Sequence, residues 1–212
     1  MGMRVGRSVR VALAAMLGAL AGGCAMGTTD LTVRHRPLDP IANKRQGNIL
    51  VRKFADSREP ASERGCIGVK RNGFGMPLGR MAASGTTPLP DLLTAYFAEA
   101  LTQAGYNATI EGSPSAAEPA ARYDAVVEGE IVKFWEDLYL MIWHEVDVSL
   151  RARKTTGGTV VWRGRAAGSS RYLLWLGISS ELERPIASAL TQALNEAARQ
   201  FASDDFYQHV KQ

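Results

Sequence analysis

Residues 123–167 decide the fold, because they contain three segments in which apolar and polar residues alternate. The segments read YDAVVEGEIVKF (123–134), YLMIWHEVDVSLRA (139–152) and TVVWRGRAA (159–167). Alternation with a period of two is typical of a strand that buries one face. The residues TTGG at 155–158 have the composition of a hairpin turn. The sequence therefore predicts three consecutive antiparallel strands.

Two amphipathic segments flank this region and predict helices. Residues 91–104 (DLLTAYFAEALTQA) carry apolar side chains at helical spacing, and residues 185–202 do the same. A strand at 48–56 (NILVRKFAD) precedes the first helix, and a short strand at 108–111 follows it. One-faced helices and a half-buried sheet pack as two layers. We therefore expect an α+β fold with two layers: a mainly antiparallel sheet of about five strands, with two long helices packed on one face.

Composition excludes several classes of protein. The chain has 212 residues, of which 46% are hydrophobic and 22% are charged, which is ordinary for a globular protein. The formal net charge is +4, but Arg4, Arg7 and Arg10 lie in the first 23 residues, which contain no acid. The remaining chain has a net charge of only +1, so it has no general attraction for phosphate backbones. We therefore expect no nucleic-acid partner.

The first 24 residues, MGMRVGRSVRVALAAMLGALAGGC, have the layout of a bacterial secretory signal. Residues 11–21 form an apolar run that is too short to span a bilayer, which needs about 20 apolar residues. The last four residues, AGGC at 21–24, resemble a lipobox, the motif that precedes a lipid-modified cysteine. Residues 1–23 are thus predicted to be a signal peptide, and Cys24 the site of lipid attachment. The alternative is an ordinary signal peptide with a chance cysteine at its end.

The segment after Cys24 is polar. Residues 25–46 contain two prolines and little periodicity, which predicts a tether. We expect the lipidated Cys24 and its tether to occupy residues 24–46, and a single periplasmic α+β domain to occupy residues 47–212. Ala25, and not aspartate, follows Cys24. Similarity to Gram-negative lipoproteins then implies the outer membrane, with the domain facing the periplasm.

An unusual concentration of aromatic and apolar residues lies near the predicted strand ends. It includes residues 134–135, 138–143 and 172–178. Tryptophan and tyrosine favour interfaces and membrane headgroup regions. The stretches predict a docking patch for a protein or a membrane surface, whereas the alternative is that they complete the core. The candidate patch residues are Trp135, Tyr139, Met141, Trp143, Tyr172 and Trp175.

Catalytic and metal-binding patterns are weak. Glu128 and Glu130 share one strand face at a spacing that suits a glycosidase, but a solvated strand face has the same pattern. His144 lacks a second histidine at helical spacing, which favours a packed histidine over a metal ligand. Cys66 is the only cysteine after Cys24, and we expect it to be buried and structural. The sequence therefore predicts no catalytic residue, no metal and no cofactor.

The order of several segments resembles the YajG-type lipoproteins of Gram-negative bacteria. The segments are the lipobox at Cys24, ILVRKFADSR (49–58), CIGVKRNGFG (66–75), DLLTAYFAEALTQAGY (91–106), YDAVVEGEIVKFW (123–135), VVW (160–162) and FYQHVKQ (206–212). The same layout is similar to auxiliary lipoproteins of ABC-type lipid transport systems. The resemblance implies an envelope lipoprotein with a small α/β body, and it supplies no catalytic residues.

Three hypotheses follow. The first is a non-enzymatic outer-membrane lipoprotein that serves as an interaction module for a protein partner in the envelope. The second is an accessory subunit of an ABC-type transporter for lipid or solvent resistance. The third is a cell-wall hydrolase that uses Glu128 and Glu130.

Overall fold

The computed structural model describes residues 27–113, 122–173 and 179–211. Nine strands and three α-helices occupy these ranges, together with a 3-10 turn at Ala61–Glu63. The strands are β1 (Gly27–Leu31), β2 (Asn48–Val51), β3 (Ala55–Asp56), β4 (Gly68–Arg71), β5 (Pro77–Ala83), β6 (Asn107–Ile110), β7 (Ala125–Leu138), β8 (Met141–Lys154) and β9 (Val160–Leu173). The helices are α1 (Leu89–Gln103), α2 (Ser179–Ala202) and α3 (Asp204–Lys211).

The sheet is mixed and β7 is its central strand. Along one edge, β7 pairs in parallel with β2, β3 and β4, which lie end to end, and along the other edge it pairs antiparallel with β8. Strand β1 pairs in parallel with β5, and β2 with β6. Antiparallel pairs join β4 to β5 and β8 to β9. Five of these eight strand pairings are therefore parallel.

The expected fold class was wrong. The sequence predicted a mainly antiparallel sheet of about five strands with two helices, whereas the structure has nine strands, mostly parallel pairings and three helices. The antiparallel β7–β8–β9 meander is present. The strands expected at 48–56 and 108–111 are present as β2, β3 and β6, but their parallel pairings were missed. These strands and β4 contain four residues or fewer and pair with segments distant in the chain, and no local pattern shows which strand such a segment meets.

Helices α2 and α3 cover one face of the meander, and α1 packs against α2 and β6. Helix α2 buries a continuous stripe of apolar side chains and begins at Ser179, six residues before the expected start at Pro185. A side chain at Gly168 in β9 would overlap the backbone of Ala189, so the helix and the strand are in close contact there. The amide of Phe206 donates to Ser203 Oγ, which caps α3 as a serine at a helix start commonly does. We call the opposite, helix-free face of the meander its outer face.

Residues 27–46, which the sequence assigned to a tether, are part of the folded body. Leu31 at the end of β1 is completely buried, and Val33 is buried beyond it. The Tyr96 hydroxyl donates to the Val33 carbonyl (2.8 Å), and the Arg36 amide donates to Thr191 Oγ1 (2.9 Å). This segment therefore lies along α1 and α2, and the folded body begins close to Cys24.

A β-bulge in β7 changes which side chains enter the core. The register shifts between Ile131 and Lys133, and Val132 is exposed at this point. Before the bulge the odd-numbered residues face the core, whereas after it Phe134 and Glu136 do. One extra residue in a strand has this effect because side chains alternate between the two faces.

Candidate functional site

One end of the sheet exposes a group of large apolar side chains, which we call the apolar end. Phe74 is 89% exposed and Leu140 is 68% exposed, and the other members are also exposed. The group belongs to the β4–β5 hairpin, the β7–β8 hairpin and the end of β9. Its members are Phe74, Met76, Leu140, Met141 and Leu173.

Local hydrogen bonds hold these side chains outward. Asn72 Oδ1 accepts from the amides of Phe74 and Met76, both at 2.9 Å, in a turn that has Gly75 at a φ of +81°. Glycine suits this turn because a side chain is strained at positive φ. The Tyr139 hydroxyl donates to the Gly73 carbonyl (2.8 Å), which joins the two hairpin tips. The exposed apolar residues therefore form one ordered surface.

Strands β8 and β9 add two further apolar side chains to this surface. Met141 at the start of β8 pairs with Leu173 at the end of β9. Both side chains lie on the outer face beside the β7–β8 turn. Exposed apolar groups that cluster in this way commonly mark a binding surface, whereas scattered ones do not.

The residues of the sequence-predicted patch do not all lie together. Met141 belongs to the apolar end, and Tyr139 joins its two hairpin tips through the hydrogen bond to Gly73. Trp135 and Trp143 are half-buried on the outer face of adjacent strands. Tyr172 lies on the opposite face, where its ring is 6.0 Å from the guanidinium of Arg184.

Two predicted sites, Cys24 and Trp175, lie outside the described residues. Phe74 and Met76 were not among the expected patch residues, because that patch was taken from the apolar stretches 134–135, 138–143 and 172–178. The sequence does contain a signal for Phe74, which lies between Gly73 and Gly75 in a turn. Such a turn offers an aromatic side chain no position in the core, so exposure is the expected outcome.

Trp135 lines a groove of about 430 Å³ on the outer face of β4 and β5. Val69 and Leu78 supply apolar lining, and Arg71 and Arg80 supply positive charge. Arg71 is held in place because its Nε lies 2.9 Å from both carboxylate oxygens of Asp137. The groove is open and has the mixed apolar and basic character of a surface that binds another molecule.

Arg80 and Arg171 are exposed near the apolar end. Arg80 lies opposite Val69 in the sheet register, and Arg171 lies opposite Trp143. Neither arginine has an ion-pair partner among the residues that the structure describes. Two basic groups therefore lie on the outer face next to the apolar surface.

Beneath this end, two ionisable side chains are completely buried. Glu136 and His144 are opposite each other in β7 and β8, with Glu136 Oε2 and His144 Nδ1 3.6 Å apart. Neither has a hydrogen-bond partner within the described ranges. Burial raises the pKa of Glu136 to about 9 and lowers the pKa of His144 to about 3. Both charged forms are disfavoured because the surroundings do not solvate them.

The buried pair is sealed from solvent. A side chain at Gly68 would overlap both the backbone oxygen of Glu136 and the Met81 side chain, so β4 covers the pair closely. The ring of Phe134 is 4.6 Å from that of His144, edge to face. The expectation of a packed histidine is confirmed. A substrate would have no room beside this carboxyl group.

At the other end of β7, Glu128 is ionised and paired. It accepts hydrogen bonds from Arg52 (2.9 Å), Arg151 (2.7 Å) and Arg153 (2.9 Å). Partial burial alone would raise the pKa of Glu128, but these hydrogen bonds outweigh it and lower the pKa to about 2. Arg151 also lies 3.2 Å from Glu130. Glu128 therefore holds no proton to donate at neutral pH.

The remaining cysteine is structural, and the described residues hold neither a metal cluster nor a membrane-spanning helix. Cys66 is buried, as expected, and its thiol donates to the Glu63 carbonyl at 3.4 Å. Within the described ranges, no group of three histidine, cysteine or acidic side chains is arranged to hold a metal ion. No helix in those ranges is both long and apolar enough to cross a membrane.

Comparison with known proteins gives a likeness in fold. No protein-family model matches the sequence, and no curated protein matches it. The crystal structure of a Xanthomonas campestris protein, whose family is described as DUF330, is similar with a TM-score of 0.56 and 16% identity. The likeness covers 85% of this chain and 97% of that chain. At this identity it shows a shared fold alone.

Two further solved structures are similar to a smaller degree. The PelC dodecamer of Paraburkholderia phytofirmans has a TM-score of 0.37 and 19% identity, over 76% of this chain and 98% of that chain. A lipoprotein of Neisseria meningitidis has a TM-score of 0.37 and 14% identity, over 64% of this chain and 92% of that chain. These likenesses are too weak to carry an argument.

Proposed function

We propose that the chain is an outer-membrane lipoprotein that faces the periplasm and acts by binding a neighbouring molecule, without catalysis. The observation that carries this proposal is the ordered apolar end, in which Phe74, Leu140 and their neighbours are held outward with nothing of the described chain packed over them. A stable fold gains nothing from exposing this surface to water, so a binding role explains it.

The lipid anchor rests on the amino-terminal sequence. A thioether-linked diacylglycerol with an added N-acyl chain would give Cys24 three fatty chains. Each buried methylene contributes about 0.8 kcal/mol, and a single chain anchors only reversibly. Three chains would hold the protein at the membrane permanently. Ala25 after Cys24 favours the outer membrane, by similarity to Gram-negative lipoproteins.

Labelling tests the anchor. Cells that express the natural chain and are fed radiolabelled palmitate should give a labelled band in the outer-membrane fraction. Cys24→Ser should abolish the label because no thiol remains for acylation, whereas Cys66→Ser should keep it. Label that persists in Cys24→Ser, or a natural chain recovered unlabelled and soluble, would contradict the proposal.

We assign the protein-binding role to the outer face around Trp135 and Trp143, next to the 430 Å³ groove. Aromatic and arginine side chains are enriched at protein interfaces. Trp135→Ala with Trp143→Ala should therefore reduce capture of a crosslinked envelope protein several-fold. Because both rings are half-buried, the thermal midpoint should fall only modestly. A large fall in the midpoint would instead assign these rings to the core.

The absence of catalysis is supported by the contacts of the two carboxyl groups that the hydrolase hypothesis would use. Three arginines hold Glu128 ionised, and one of them, Arg151, also lies 3.2 Å from Glu130. Glu136, at the other end of β7, is sealed in the core. Purified protein should leave isolated cell wall undigested, and Glu128→Gln should behave identically. Release of soluble fragments by the natural chain, abolished in Glu128→Gln, would establish the hydrolase alternative.

The role of accessory subunit in an ABC-type lipid transporter stays the alternative, and the YajG-type resemblance stays a prediction. Mild crosslinking in cells, followed by purification and mass spectrometry, separates the two roles. Recovery of a permease and an ATPase would favour the transporter. Recovery of other envelope proteins without them would favour the general interaction module.

A further inference from the structure

We propose that the apolar end docks into the same lipid leaflet that holds the acyl chains on Cys24, so that the protein lies directly against its membrane. This inference rests on the proposed lipidation of Cys24 and adds to it the orientation of the body and the side chains that enter the lipid. It assigns the apolar end to a lipid surface and leaves the outer-face tryptophans for a protein partner.

The sheet register places the lipid anchor beside the apolar end. Strand β1 runs parallel to β5, so both begin at the end that carries the β4–β5 and β7–β8 tips. A single transverse row crosses six strands at this level. Its members are Gly27, Gly79, Lys70, Leu138, Ile142 and Tyr172.

The distance from this row to the anchor is short. Cys24 is three residues before Gly27, and three extended residues span at most about 11 Å. Because Leu31, Val33 and the residues after them pack on the body, no long tether separates it from the leaflet. An acylated Cys24 therefore brings the tips at Phe74 and Leu140 to the lipid headgroups.

The chemistry of this end fits a lipid surface. Phe74, Met76 and Leu140 project from two hairpin tips, as side chains that insert between headgroups do. Arg80 and Arg171 lie on the outer face behind them, free of ion-pair partners among the described residues. Apolar side chains backed by basic ones are the combination that binds an anionic lipid surface.

The opposite end of the meander supplies a matched control. Strand β8 is 14 residues long, so its two ends are roughly 45 Å apart. At the far end, the β8–β9 turn exposes Thr156. A group attached at this position should stay in water if the protein lies on its membrane as proposed.

The test places an environment-sensitive fluorophore at each end of the lipidated full chain. Phe74→Cys and Thr156→Cys are labelled separately, and the natural chain is the control for labelling of the buried Cys66. Each protein is reconstituted into vesicles of phosphatidylethanolamine and phosphatidylglycerol, with or without lipids that carry a quencher on the acyl chain.

We expect the probe at position 74 to shift to shorter wavelength and to lose at least half its intensity with the quencher lipids. The probe at position 156 should keep its wavelength and intensity in water. Equal, water-like emission from both probes would overturn the docking inference. Flotation of the vesicles reads out the lipid anchor separately, since failure to float with them would refute the proposed lipidation instead.

A second pair of measurements addresses binding without the anchor. The acyl-free Cys24→Ser chain should bind anionic vesicles weakly, and Leu140→Asp with Arg171→Glu should reduce that binding at least five-fold, whereas Thr156→Asp should not. Without vesicles, the probe at position 74 of the acyl-free chain should emit as in water. A blue shift that grows with protein concentration would assign the apolar end to a second copy of the chain and overturn the inference.

Discussion

The two ends of the β7–β8–β9 meander each contain a glutamate, and their surroundings shift its pKa in opposite directions. At the far end, Glu128 is charged and bonded to three arginines, which lower its pKa to about 2. At the apolar end, Glu136 faces His144 in the core without a hydrogen bond within the described ranges, and burial raises its pKa to about 9. Both glutamates lie on one strand, so the surroundings decide the charge and not the residue type.

The same contrast holds for the exposed side chains. The far end has the polar turn at residues 155–158 and ion-paired charges, which interact well with water. The apolar end exposes Phe74 and Leu140 to solvent and encloses ionisable groups beneath them. Both the exposed apolar side chains and the buried unbonded Glu136 and His144 lower the stability of this end of the fold. Such an arrangement fits a binding role better than a structural one.

Removing the buried pair should change stability most. Glu136→Met with His144→Leu replaces two unsatisfied polar groups by apolar ones of similar volume. We expect the free energy of unfolding at pH 7 to rise by about 1–4 kcal/mol, as when other buried pairs are replaced. Urea unfolding measures it. A double variant less stable than the natural chain would mean that the pair has bonding partners in the folded protein.

The buried Glu136–His144 pair should also make stability depend on pH. Between pH values of about 3 and 9 the folded pair holds one proton, because Glu136 has a raised pKa and His144 a lowered one. The unfolded glutamate loses its proton near pH 4.5 and the unfolded histidine near 6.5.

Above pH 6.5 the folded pair therefore binds one proton more than the unfolded pair, so stability falls as pH rises toward 9. Between 4.5 and 6.5 the two contributions cancel. The natural chain should become less stable from pH 6.5 to 9 relative to the Glu136→Met, His144→Leu variant. Urea unfolding curves of the two proteins that stay parallel across this range would contradict the assignment.

Glu128 should have a smaller effect of the opposite sign. Glu128→Gln removes the carboxylate that joins Arg52, Arg151 and Arg153, and these arginines are partly solvated. We expect a loss of about 1 kcal/mol at pH 7. A lowered pKa adds stability above the unfolded value near 4.5, and this stability is lost as pH falls toward 2. The difference between natural chain and variant should therefore shrink in acid, and a difference that grows there would refute it.

Substitutions at the apolar surface should change stability least. Leu140 is 68% exposed, so Leu140→Asp should shift the free energy of unfolding by less than about 0.5 kcal/mol. Thr156→Asp in the far turn is the matched control. Thermal unfolding of both should give midpoints close to that of the natural chain. A large fall for Leu140→Asp would mean that the apolar end is part of the core.

Local patterns predicted the meander and the helices well. Alternation located β7, β8 and β9, and helical spacing at 91–104 located α1, which spans Leu89–Gln103. These signals lie within one segment of chain. The parallel pairings of β2, β3 and β4 with β7 join short segments far apart in sequence, and no local pattern in the residues encodes which strand they meet.

The candidate site was predicted in part. Tyr139 and Met141 lie at or beside the apolar end, but Tyr172 lies on the other face. The bulge at Val132 was the hidden feature. Continued alternation from Ile131 would put Lys133 and Trp135 in the core, whereas the extra residue puts Phe134 and Glu136 there. The sequence does carry a signal for the bulge. Lys133 stands where continued alternation needs a core residue, and the apolar Phe134 follows it.

The central claim is that the apolar end, and not the far end, lies on the membrane. Hydrogen–deuterium exchange of the lipidated full chain on vesicles, compared with the acyl-free Cys24→Ser chain in buffer, tests it most directly. We expect slower exchange on vesicles at residues 72–76 and 139–141, with no change at 155–159. Equal exchange in both states at all three segments, or protection at 155–159 alone, would contradict it.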